Sequence, residues 1–194
     1  MKQEQRWIRH DNSGDLINSL EHCLHSLDLT KEDPRNWKWV IIASYAAAQV
    51  AMVMALESEL KHLKPGSRKA LLEYLEKLGT ESEVPYPFEV ELNSFDYLLK
   101  NAWPKVEDHD PSHERFRALL RLKALRDDFS HFGHYGSSVE VSLARIAASS
   151  GIWLARHLPV PFDEAEARQY ESVMEMLEKR LSEEPTAGPG GADS

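Results

Sequence analysis

Nine histidines in 194 residues give this chain its first chemical option. Three pairs have helical spacing: His22 and His25, His109 and His113, His131 and His134. Imidazoles three or four apart, with a carboxylate such as Asp128 nearby, are how helical bundles hold zinc or iron. The context argues against it. His109 lies in a link before Pro111, His134 follows the helix-ending Gly133, and His22 and His25 share a helix whose other polar residues read as solvated. A di-iron site needs inward carboxylates on several helices, and the most apolar stretch, Trp39 to Leu56, has none. No metal and no cofactor is therefore expected, and a metal-binding bundle stands as a lesser alternative.

A more specific constellation is Leu125-Arg126-Asp127-Asp128-Phe129-Ser130-His131-Phe132. A guanidinium can neutralise a phosphate, and an imidazole can carry a proton near neutral pH. On an ideal helix positions 126 and 131 are about 140° apart, so they do not share a face automatically. Either the long arginine swings round or a second subunit completes the pair. Asp127 and Asp128 lie four and three residues before His131, within reach of its ring. A carboxylate there would orient the imidazole and favour its protonated form, which suits general acid–base work. The plainer alternative is an ion-paired arginine and a histidine that complements the helix dipole.

Charge bears on what this pair could act upon. With 23 basic and 32 acidic residues the net charge is −9, which excludes a generally basic nucleic-acid coat. Phosphate would have to meet a local patch. Arg115, Arg117, Arg121, Lys123 and Arg126 fall within twelve residues and supply one on the sequence. Cys23 is the one cysteine, so no disulfide forms within the chain, and it reads as a small buried apolar residue. A reducing, cytoplasmic setting is expected, and the polar start Met1-Lys2-Gln3-Glu4-Gln5-Arg6 has no apolar core of a signal peptide.

The elements that must position these residues are all helical. Leu16, Leu20, Leu24 and Leu27 recur at helical steps behind alternative caps Asp11, Asn12 and Ser13. Asp33-Pro34 opens what reads as one long helix to about Leu63. Its eighteen uncharged residues, Trp39 to Leu56, reach the lower limit for a membrane span. Six alanines, with Ser44, Tyr45 and Gln49, instead suit the central helix of a soluble bundle. Further helices are expected at 68–78, 95–102, 110–132, 139–157 and 163–181. Between them, Phe88 to Leu92 reads as a short extended piece, and Ser137 or Ser138 as a cap. Asp163 with Glu166 has the spacing of a capping box. The expected fold is all-α: an antiparallel bundle of about five main helices plus one or two short ones. Residues 1–10 are expected to be a flexible N-terminus, 11–181 one helical domain, and 182–194 a disordered tail. Trp37, Trp39, Trp103 and Trp153 read as core and rim packing, and Met52, Met54, Met174 and Met176 as filler.

Arg126, Asp127 and His131 resemble the motif of the HEPN family (higher eukaryotes and prokaryotes nucleotide-binding). That motif is an arginine, four to six residues, then a histidine, with a polar residue favoured after the arginine. The long helix before it and the glycine-containing turn after it also fit. The run Arg126 to Glu140 and the earlier Trp37-Lys38-Trp39-Val40-Ile41-Ile42 are similar to bacterial HEPN-like proteins. The resemblance implies a metal-independent endoribonuclease of the toxin or phage-defence kind, with an antitoxin as a further expected partner. It implies a homodimer in which two motifs face one cleft. His131 would move a proton at the ribose 2′-hydroxyl or the leaving oxygen, Arg126 would stabilise phosphate charge, and Asp127 would position the pair. Arg121, Lys123 and Ser130 would contact RNA. The alternative is a non-catalytic module that binds a nucleotide or a protein.

Overall fold

Alanine and glycine decide the architecture. The apolar stretch forms a helix, α2 (Trp37–Leu56), that is buried along most of its length. It runs through the middle of a bundle made with α1 (Asn12–Leu29), α4 (Phe95–Ala102), α5 (Glu114–Ser130) and α6 (Val141–His157). The remaining α-helices are α3 (Pro65–Leu78) and α7 (Glu164–Ser182), the latter packed on α1 and α6. The computed structural model describes residues 11–78, 90–106, 109–110, 113–130 and 138–183. Among these the fold is all-α, with five helices of 17 to 20 residues and two shorter ones. The expected flexible residues 1–10, and residues 184–194 of the expected tail, lie outside the described residues.

Apolar surface on α2 could serve a bilayer or other helices, and here it serves other helices. The span Pro34–Glu59 is long and apolar enough to cross a membrane, but 72% of its most apolar window is buried against the bundle. Its small side chains are why. Ala47, Ala48 and Ala51 of α2 and Ala144, Ala147, Ala148 and Ala155 of α6 are all buried. Between them sits Gly151, where the two backbones nearly touch. A Cβ at Gly151 would lie 2.9 Å from the Ser44 carbonyl oxygen and 2.7 Å from Leu122 Cδ2 of α5. Three helices thus meet at one hydrogen atom.

Local signals set the helix ends. Asp11 is the side-chain cap of α1, accepting from Gly14 N, so the first of the three alternatives is used. Asp33 accepts from Arg35 N, but Pro34–Asn36 form a 3₁₀ turn before α2 begins. Asp163 and Glu166 make the expected capping box of α7. The α6 cap is Glu140, whose side chain accepts from Ser142 Oγ and not from the helix backbone, rather than Ser138; Ser137 lies outside the described residues.

The expected single helix to Leu63 is corrected. It stops at Leu56, tightens to a 3₁₀ turn at Glu57–Glu59, and reverses at Leu60, which is left-handed with φ 52°. Glu59 holds that reversal, bonded to Lys61 and, at 2.5 Å, to Lys105. Of the expected extended piece, Leu92 makes an isolated antiparallel bridge with Leu63, and Phe88 and Glu89 lie outside the described residues. The helix expected over 110–132 starts at Glu114. Trp37 and Trp103 are core and Trp153 is partly buried, but Trp39 is half exposed beneath Lys38, and Met176 is exposed rather than filler. Cys23 is fully buried against Val40 O, and burial pushes its thiol up to about 12.

Two outcomes follow from these contacts. Gly151→Ala is expected to destabilise by about 1–3 kcal/mol, because the Ser44 backbone cannot give way as a side-chain tip can. Alanine's better helix propensity, about 1 kcal/mol, offsets only part of that. Gly66→Ala, whose Cβ meets open space, should not lower stability. Urea midpoints check both, and an unchanged midpoint for Gly151→Ala would contradict the close approach. Separately, Lys105 and Lys61 hold the Glu59 carboxyl down at about 2, against an ordinary 4.5. A group titrating lower when folded stabilises above its unfolded value and loses that contribution as pH falls. The stability difference between wild type and Glu59→Gln should therefore vanish as pH drops from about 4.5 to about 2. A difference that persists at the acid end would rule the lysine clamp out.

Candidate functional site

The basic helix α5 is fixed to the bundle by a stripe of Ala118, Leu119, Leu122 and Leu125. Arg115 and Arg126 stand at either end of that stripe. Eleven residues make about three turns, so the two lie within about 20° of one face and about 16 Å apart. Each lays its guanidinium on an aromatic ring. Arg115 Cζ is 4.6 Å from the ring centroid of Trp153 on α6, and Arg126 Cζ is 4.4 Å from that of Tyr45 on α2.

Around Arg126 the layers continue in both directions. Tyr45 is itself stacked on Phe95 of α4, with centroids 4.6 Å apart and planes 20° apart. On the solvent side, Arg126 Nη1 donates to Asp127 Oδ1 at 2.7 Å. A turn away, Lys123 Nζ donates to Asp96 Oδ2 of α4 at 2.6 Å. Two cation–carboxylate pairs thus lie close enough to one buried phenol to act on its charge. Burial raises the Tyr45 phenol, and the Arg126 charge opposes that rise. The Asp96 carboxylate raises the Lys123 amine. Arg126 and Asp127 keep 36% and 38% of their side-chain surface exposed, so an incoming anion can compete for the guanidinium.

Arg126, Asp127 and Lys123 are brought together. Arg121 is not: it is exposed, about 140° round the α5 axis from Arg126. Arg121 and Arg117 share the outer face, so the basic run divides between two faces rather than forming one stripe. Ser130 is exposed as the last residue of α5. His131 and His134 lie outside the described residues. The remaining histidines of the pairs, His22, His25, His109 and His113, are exposed. Among the described residues no group of three or more His, Cys, Asp or Glu side chains is placed to hold a metal ion.

Tyr45, Phe95 and Asp96 are the members that sequence reasoning missed. Tyr45 carried a weak signal, as a polar aromatic inside an otherwise apolar helix. Asp96 carried none, because its partner is set by how α4 and α5 each pack on α2. Compared with family models, with curated proteins and with solved structures, the chain matches none.

The stack on Tyr45 has a measurable energy. In a double-mutant cycle, Arg126→Ala and Tyr45→Leu should show a coupling of about 0.5–1 kcal/mol, as for a partly exposed cation–π pair. Additive effects in urea unfolding would mean that the guanidinium does not rest on the ring.

Proposed function

We propose that this chain is a metal-independent endoribonuclease of the HEPN type, acting as a cytoplasmic homodimer on RNA. The observation that supports it most is the state of Arg126. Its guanidinium is fixed from below by Tyr45, paired at its edge with Asp127, and open on its remaining side, at the end of the helix that leads to His131. A phosphate charge stabiliser needs that combination: a cation held in place before the substrate arrives, so that little reorganisation is left for the reaction.

In this reading the ribose 2′-hydroxyl attacks the neighbouring phosphorus and the 5′-oxygen leaves. His131 takes the proton from the 2′-oxygen or supplies one to the departing oxygen. Arg126 exchanges part of its pairing with Asp127 for the charge that grows on the phosphate oxygens. Asp127 holds the guanidinium until then. DNA lacks the attacking hydroxyl and is left intact. Lys123 adds positive potential near the phosphate, and Arg121 and Ser130 serve flanking contacts. The HEPN resemblance adds a second copy facing the first, a toxin or phage-defence setting, and an antitoxin as a regulating partner.

One observation favours a different reading. Arg126 also seals the edge of the core over Tyr45, which a non-catalytic helical module would use in the same way. Purified protein should cut single-stranded RNA in the presence of a chelator and leave DNA untouched. Arg126→Lys, which keeps the charge but loses the fork, and His131→Ala should each reduce cleavage about 100-fold or more while the helical circular dichroism persists. RNA left equally intact by wild type and variants would support the module instead.

A further inference from the structure

We infer that the cleft at the other end of α5 is a binding site for a small organic phosphomonoester. It lies between the first turn of α5, the middle of α6 and the last turn of α7, and measures about 520 Å³. Arg115 and Arg145 line it, with Ser149 and with His113, whose Nδ1 accepts from Arg115 N. Ile146 and Leu181 supply apolar wall.

The two guanidiniums carry the argument. Each is backed by an indole: Arg115 by Trp153, and Arg145 by Trp37 at 5.7 Å. Arg145 is half-buried. Its Nη1 donates to two carbonyl oxygens at the end of α7, those of Leu181 at 3.0 Å and Glu183 at 2.6 Å. Its Nε is buried and meets no acceptor. Among the described residues neither Arg115 nor Arg145 has a carboxylate within salt-bridge distance, whereas Arg126, Arg156 and Arg180 each do. A half-buried cation without a counter-ion is costly, and the α7 carbonyls offset only part of that cost. Among the described residues Glu114 is the one carboxylate on the cleft wall, set against two arginines.

An anion would complete the balance. The Arg115 fork and the Nη2 end of Arg145, both held against rings, suit the several oxygens of a phosphate, and little side-chain freedom is lost on binding. The volume exceeds what orthophosphate fills, and the Ile146 and Leu181 wall suits an apolar group attached to it. The site shares no residue with the Arg126 cluster, so it stands or falls independently of the ribonuclease reading.

Titration calorimetry on the full chain with phenyl phosphate, orthophosphate and phenol is the test. Phenyl phosphate should bind saturably, orthophosphate more weakly, and phenol not at all, with affinity falling as salt rises. Arg115→Ala should weaken phenyl phosphate about tenfold or more, as for loss of a charge-assisted contact. Arg145→Gln should do the same, and Arg126→Ala should leave it unchanged. Arg115 is exposed and outside the core, so its variant keeps the test meaningful if Arg145→Gln fails to fold. Absent saturation, equal binding of phenol, an unaffected Arg115→Ala, or loss in Arg126→Ala would each overturn the assignment. Orthophosphate binding as tightly as phenyl phosphate would overturn the organic half of it.

Discussion

The contact at Gly151 governs the rest of the molecule. A backbone-to-backbone approach of two helices is available only where side chains nearly vanish, and α2 and α6 arrange this with Ser44 and Gly151 inside a field of alanines. Because Leu122 of α5 closes over the same point, the crossing fixes three helices at once. The position of α5 then decides where its two end arginines fall. One lands on Trp153, carried by α6, and the other on Tyr45, carried by α2. The functional geometry therefore derives from packing: a shift at the seam would move both rings relative to the guanidiniums they support.

Electrostatics bears on how an acidic chain could meet the phosphate that the proposed function requires. The net charge of −9 is spread over surface carboxylates, many in exposed pairs of small energetic value. The arginines at the ends of α5 differ because aromatic rings exclude water from one of their faces. A guanidinium in that setting keeps its charge and its planar donors while losing freedom to turn away. At Arg126 the neighbouring carboxylate Asp127 balances the charge. At Arg115 none does among the described residues. Two arginines on one helix face thus have different partners, which gives the two proposed phosphate sites different electrostatics on one element.

Much of the fold was legible in the sequence. The capping box at Asp163 and Glu166, a cap of α1 among Asp11, Asn12 and Ser13, and the uncharged run from Trp39 to Leu56 each act through neighbours a few residues away, so spacing reveals them. The break at Leu60 was not legible. It depends on Glu59 reaching Lys105, 46 residues on, and on a leucine accepting a left-handed backbone. The site was legible in the same partial way. Arg126 and Asp127 are adjacent in sequence and adjacent in space. The ring beneath them comes from a helix some eighty residues earlier, and the register between α2 and α5 is set by alanine and glycine, which leave no periodic signature of their own. The basic run misled for a related reason. Five cations in twelve residues look like one patch until the helix turns them to different sides.

The central claim is that Arg126 is a fixed cation resting on Tyr45. Nuclear magnetic resonance of its guanidinium group tests this most directly. The account predicts side-chain N–H signals moved upfield by the phenol ring, with slowed rotation of the terminal amines, both reverting to ordinary values in Tyr45→Leu. Signals of a freely rotating, solvent-averaged guanidinium in the wild-type protein, indifferent to the tyrosine, would contradict it.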